Sequence, residues 1–286
     1  MSHITDRWYR KALVSFEAGR NYQGVRELTS ALVRGIEGNA TADLQLIFVE
    51  VANIFDERQM WHEAGQVVSH YLKHLRKHKL VETGVVPLLG AVVDLVSVDG
   101  GPTSIALIFL QTLVADALSS QDKVVLGKVT ALYNEVVDQV GDSDQFEDFT
   151  HVFFDASVGL GDYSRAKELS VPFFLDNVTS LDQLSSAVNA LFVLGLVGET
   201  EVAFGYTQSL RKTLPPELQQ EPLFECGADL LLAVRGHDLE WFNETRKHFS
   251  AVLGRPEQRQ LRILVQELYQ QEFPDAPKSS LFDLFL

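Results

Sequence analysis

Cysteine is almost missing from this chain. Cys226 is the single one in 286 residues, so no intramolecular disulfide can form, which fits a reducing, cytoplasmic compartment. Positive charge is scarce as well. The 24 Lys and Arg face 39 Asp and Glu, giving a formal net charge of -15 and a pI of about 4.9. Nucleic acid is therefore excluded as a general partner, because phosphate binding needs a concentrated basic surface. Adhesion to anionic membranes is disfavoured for the same reason. The opening stretch "MSHITDRWYRK" has no apolar core of the kind a signal peptide carries. The longest apolar runs, such as "ALIFLQTLVADAL", are interrupted short of a membrane span. Two-residue alternation is rare, so few strands are expected, and there is no low-complexity tract.

Apolar residues are plentiful, at 46% of the chain, enough for a full core. They recur three and four apart in stretches such as "SSAVNALFVLGLVGETEVAFGYTQSLRK", with Gly-containing polar turns between them. Three stretches look alike: "AGRNYQGVREL", "RQMWHEAGQVV" and "LGDYSRAKEL". Each has a polar or Gly turn, an aromatic (Tyr22, Trp61, Tyr163) and a helical start. "VGETEVAFGY" and "RGHDLEWFNE" share the outline. Tyr22 to Trp61, Tyr163 to Val202 and Val202 to Trp241 are each 39 positions. That interval predicts stacked helical pairs. Pro102, Pro172, Pro215, Pro216 and Pro256 fall where helices should begin or end. The expected fold is all-α: one α-solenoid over 1–286 of about six or seven hairpins, TPR-like, with halves 1–140 and 141–286.

Signatures of chemistry are missing. There is no GxxxxGKS/T phosphate loop, no GxGxxG after a strand, no GxSxG and no HExxH. Cys226, in "LFECGADLLLAV", reads as a buried structural thiol. His70, His74 and His78 share one helix face. Without a carboxylate or cysteine to complete the set, a metal site is the lesser reading and a solvated face the greater. "GDSDQFEDF" lacks the calcium-loop ligand pattern and reads as an acidic helix start. No cofactor or metal is expected. Lys73, Arg76, Lys77 and Lys79 form a local positive cluster in an acidic chain. They either steer an acidic partner or complement a helix C-terminus.

The C-terminal third, "LFECGADLLLAVRGHDLEWFNETRKHFS…LVQELYQQEFPDAPKSSLFDLF", resembles the Golgi-to-ER-traffic protein four family. That family is the α-solenoid adaptor of the guided-entry pathway for tail-anchored membrane proteins. The likeness lies in Leu230–Leu232, the turn at Arg235–Asp238, Trp241-Phe242, Phe273, Pro277-Lys278 and the closing run Leu281–Leu286. "NATADLQLIFVEV", "YQGVREL" and "YSRAKEL" resemble its front helix and hairpin turns. The resemblance implies a non-enzymatic adaptor in the cytoplasm. Its C-terminal half would clasp a ubiquitin-like or co-chaperone partner, with Trp241, Phe242, Phe273, Leu281, Phe282, Leu284 and Phe285 as the apolar clasp. Its N-terminal half would present a targeting ATPase. With "NATADLQLIFVEV" aligned, one hairpin precedes it where the family has two. The missing hairpin belongs to the ATPase-facing side, so that contact would shift to other residues, with Arg26, Lys73, Arg76, Lys77 and Lys79 as candidates. The alternative is a generic helical-repeat scaffold that reads short peptides.

Overall fold

The computed structural model describes residues 3–38, 41–98, 101–141, 145–175 and 178–276. Those residues form seventeen α-helices and one short 3-10 helix, and no strand occurs among them. The fold is all-α and solenoid-like, and the chain divides into two compact units, Met1–Leu160 and Gly161–Leu286. The division falls within the expected C-terminal half rather than at 140/141. The physical reason is that Phe146–Leu160 packs with the helices before it.

The first unit runs α1 (His3–Glu17), α2 (Asn21–Glu37), α3 (Thr41–Glu57), α4 (Trp61–His78), α5 (Val81–Ser97), α6 (Thr103–Ser120), α7 (Lys123–Ala131), α8 (Tyr133–Val140) and α9 (Phe146–Leu160). Non-consecutive helices pack on one another: α2 on α4 on α6 in one layer, α3 on α5 on α8 in the other. This pattern follows from apolar spacing. In α2 the buried positions are Gly24, Val25, Leu28, Ala31, Leu32, Gly35 and Ile36; in α4 they are Ala64, Val67, Val68, Tyr71, Leu72 and Leu75. Both are stripes three and four apart, which put one helix face inward and leave the other outward. Phe16 meets Phe55 edge-on at 5.5 Å, and Phe48 meets both Tyr71 and Phe109 in the same way. Gly24 lets α1 and α2 approach: a Cβ there would stand 2.5 Å from the Phe16 ring. The run "ALIFLQTLVADAL" lies inside α6. Among the described residues α6 is the helix long and apolar enough to cross a membrane, a longer stretch than the interrupted run suggested. Here it is a layer helix, with Ile105, Ala106, Phe109, Leu110 and Leu113 fully buried.

The second unit contains α10 (Tyr163–Phe174), α11 (Leu181–Leu196), α12 (Thr200–Thr213), α13 (Pro216–Gln219), α14 (Pro222–Arg235), α15 (Leu239–His248), α16 (Ser250–Leu253), a 3-10 turn at Pro256–Gln258 and α17 (Arg259–Glu272). Its centre is α11, where every residue from Ala187 to Leu196 is buried. Helices α10, α12, α14 and α17 pack around it.

One turn design recurs along the chain. Gly19, Gln59, Lys79, Gln121, Gly161, Gly198 and His237 all have positive φ, and each is followed by one residue that begins the next helix as its N-cap. At Gly19 the amide donates to the Phe16 carbonyl, and Arg20 N–H donates to Ser15. The same pair of bonds occurs at Gln59, Lys79, Gln121, Gly198 and His237. This is a Schellman C-cap whose last residue also opens the following helix. Asp122, Asp162 and Asp238 add a side-chain cap, each accepting from the backbone N–H three residues on. The five look-alike stretches are five of these turns. The turns at Lys79 and Gln121 have neither glycine nor an aromatic and so carry no such signature. Pro102, Pro215, Pro216 and Pro256 do sit at helix starts, whereas Pro172 lies within the last turn of α10 and Pro87 inside α5.

Candidate functional site: a basic groove on the α2–α4 face

Packing the apolar stripes of α2 and α4 together turns their remaining faces outward side by side. A groove of about 580 Å³ results, lined by Thr29, Ser30, Val33, Arg34 and Glu37 from α2 and by His70, Lys73, His74 and Lys77 from α4. Arg34, Lys73, Lys77 and His70 are exposed, and His74 is half-buried. No carboxylate pairs with Arg34, Lys73 or Lys77 among the described residues. Arg34 instead lies over the Trp8 ring, with its Cζ 5.5 Å from the centroid, beside Lys11 Nζ at 4.7 Å. The groove's one carboxylate, Glu37, stands with Oε1 3.5 Å from His74 Nε2. That is too long for a hydrogen bond, so the contact is electrostatic and depends on imidazole protonation. His74 also stacks on His78 at 4.2 Å. Burial, then His78 beside it, lowers the His74 pKa, and Glu37 works against both.

Two hydroxyls in the groove lining have their protons turned inward. Thr29 Oγ1 donates to the Val25 carbonyl at 2.9 Å, and Ser30 Oγ donates to Arg26 at 2.8 Å. Both oxygens therefore keep acceptor lone pairs for whatever lies above. Arg34 and Lys77 lie in the last turns of α2 and α4, where the macrodipole favours a cation. Lys73 lies outside those last turns and stands four residues from Lys77, a like-charge spacing that costs a few tenths of a kcal/mol.

The basic cluster expected from the sequence divides. Lys73 and Lys77 enter the groove. Arg76 points elsewhere: Nε donates to Asp116 Oδ2 at 2.7 Å and Nη1 to Asp122 Oδ2 at 3.1 Å. Asp122 uses its other oxygen to cap α7, so Arg76 ties α4 to α6 and to the α7 start. Arg76 is thus an internal brace rather than a docking cation. Lys79 holds the left-handed position of the α4–α5 turn and lies outside the groove lining. Arg26 is exposed on α2, its guanidinium 5.9 Å from the Tyr22 ring, and is likewise outside the lining. Arg34 and Glu37 were missed by sequence reasoning. Their signal was the i, i+4 run Arg26, Ser30, Arg34 on one α2 face. No group of three or more His, Cys, Asp or Glu able to hold a metal occurs among the described residues, so His70, His74 and His78 are not brought together as a ligand set.

The apolar residues singled out near the C-terminus also divide. Phe242 on α15 is fully buried, 5.6 Å from the Tyr269 ring and 5.5 Å from Phe273. Phe273 is half-buried and ends α17. Trp241 remains 40% exposed. Phe242 is therefore core, and Trp241 is the group a partner can reach. Leu281, Phe282, Leu284 and Phe285 lie outside the described residues, as do Asp142 and Asp144. Cys226 is buried in α14, and burial, assisted by Asp229, pushes its thiol up to about 12. No protein-family model matches the chain, and no curated protein matches it at a significant level.

Proposed function

We propose that the chain is a non-enzymatic adaptor in post-translational targeting of tail-anchored membrane proteins, joining a ubiquitin-like or co-chaperone partner to a targeting ATPase. The observation that carries this reading is the α2–α4 groove, three permanent cations without carboxylate partners among the described residues, on a helical stack in an acidic chain. A surface of that kind suits another protein and speeds encounter with an acidic one. The pathway comes from the likeness of "LFECGADLLLAVRGHDLEWFNE" and "EFPDAPKSSLFDLF" to the adaptor family. In this reading the ATPase docks on the N-terminal unit. The other partner engages the surface around Trp241 together with Leu281, Phe282, Leu284 and Phe285. Such an adaptor acts by proximity, raising effective concentration without new contacts. The buried, protonated thiol of Cys226 fits this role, since it is a poor nucleophile.

The test is a native-lysate pull-down with the full chain and with a chain ending at Ser280, read by mass spectrometry. Recovery of a ubiquitin-like protein by the full chain and its loss from the shortened one is the expected result. Equal recovery of unrelated peptides by both baits refutes the pathway assignment. It favours the second reading, a helical-repeat peptide receptor, for which the groove on the first unit is the specific support because it owes nothing to the C-terminal residues.

A further inference from the structure

We infer that the α2–α4 groove is a receptor for an acidic, extended peptide segment, with Glu37 acting as its internal competitor. This rests on the adaptor reading only for the identity of the protein that carries the segment. Charge complementarity selects the occupant. Arg34, Lys73 and Lys77 line the groove, and no carboxylate among the described residues pairs with them. Arg76, on the same helix, is paired with two carboxylates. The fold compensates the cation that points inward and leaves open those that point into the groove. The like-charge step from Lys73 to Lys77 is retained at a small cost to α4, which an incoming carboxylate relieves.

The hydroxyls of the lining favour a peptide over a bare anion. Thr29 and Ser30 present acceptor oxygens, because their protons go to the Val25 and Arg26 carbonyls. Acceptors suit backbone N–H groups, which an extended segment exposes and a helix does not. A phosphate can bond these oxygens only through a P–OH proton or by turning the hydroxyls round, whereas each amide of an extended segment brings its own donor. Cations and acceptor oxygens in one groove therefore match a strand of Asp or Glu residues, with carboxylates to the cations and amides to the hydroxyls. Glu37 lines the same groove, 3.5 Å from His74, so its charge repels an incoming carboxylate and competes for the cations. Removing its charge should tighten binding, whereas reversing the lysines should weaken it.

The experiment uses the full chain and a short fluorescein-labelled Glu/Asp-rich peptide, read by anisotropy at neutral pH. Controls are the Gln/Asn version of the peptide and competition by inorganic phosphate. Lys73→Glu with Lys77→Glu should weaken binding about tenfold or more, and Glu37→Gln should tighten it about twofold or more. The affinity of the unaltered chain should fall steeply between about 0.05 M and about 0.5 M salt. Lys73 and Lys77 are exposed, so both variants are expected to keep the native circular dichroism. Unchanged affinity in the folded double variant overturns the site. Displacement by phosphate at concentrations matching the peptide's own Kd overturns the peptide assignment in favour of a phosphate ligand. Loss of affinity in Glu37→Gln overturns the competitor role. A peptide that binds as expected while the pull-down finds no targeting partner refutes the pathway and leaves the groove assignment standing.

Discussion

Arg246→Met should make the second unit more stable. Arg246 lies on α15 at 3% exposure, and neither Nη1 nor Nη2 has a hydrogen-bond partner among the described residues. Its Cζ lies 5.1 Å from the centroid of the Tyr269 ring. Burial drives the guanidinium pKa down, and Tyr269 acts in the opposite sense. Taking such an ion out of water costs several kcal/mol after relaxation. The ring contact returns about 2 kcal/mol at most. Met has a similar reach, leaves no N–H unsatisfied, and makes a sulfur–aromatic contact of roughly 1 kcal/mol. Replacing buried charge by an apolar side chain of like volume is typically worth about 1–4 kcal/mol, so we expect a gain of about 2 kcal/mol. Cys226 supplies the assay. It lies in α14, which packs on α15, and its buried thiol is held protonated by a pKa of about 12. Labelling by a thiol reagent at neutral pH therefore reports opening of this unit. A gain of about 2 kcal/mol slows labelling by about thirtyfold. Labelling at or above the unaltered rate would refute the argument, because it would mean that the guanidinium is satisfied in solution.

Gln121→Gly should stabilise the chain by roughly 0.5–1 kcal/mol, seen as a raised denaturant midpoint, because Gln121 holds φ 55° in a turn that a glycine enters without strain. A lowered midpoint would show that its side chain contributes more than its backbone costs. Gly24→Ala should destabilise by about 1–3 kcal/mol, since the new Cβ meets the Phe16 ring in a packed core. Equilibrium unfolding measures it, and a neutral result would mean that α1 shifts freely. Phe242→Ala should cost about 3–5 kcal/mol and Trp241→Ala under about 1 kcal/mol, as read by the Cys226 labelling rate. Equal costs would contradict the assignment of Phe242 to core and Trp241 to surface.

The candidate site was half legible. Lys73 and Lys77 stood out as cations in an acidic chain, and their i, i+4 spacing placed them on one helix face. Arg76 stood out equally but serves α6 and α7, because Asp116 and Asp122 reach it only after α4 and α6 pack. Arg34 and Glu37 are far from the cluster in sequence and join it only because α2 lies against α4. Trp241 and Phe242 are adjacent in the chain, yet successive helix positions point about 100° apart, and only the contact with Tyr269 and Phe273 decides which one is core.

By itself the sequence determined that the chain is helical, through apolar residues three and four apart. It also determined where three of the seven recurrent turns fall, because glycine relieves the left-handed strain at Gly19, Gly161 and Gly198. Both are local matters, set by the conformational preferences of a few consecutive residues. The tertiary structure alone decided which helices are neighbours, where the two units divide, which cations are spent on internal braces and which remain open. Those depend on contacts between residues forty or more positions apart, such as Arg76 with Asp116 and Asp122. No spacing within a single helix encodes such a pairing. It emerges when apolar stripes bury one another and carry their polar faces with them.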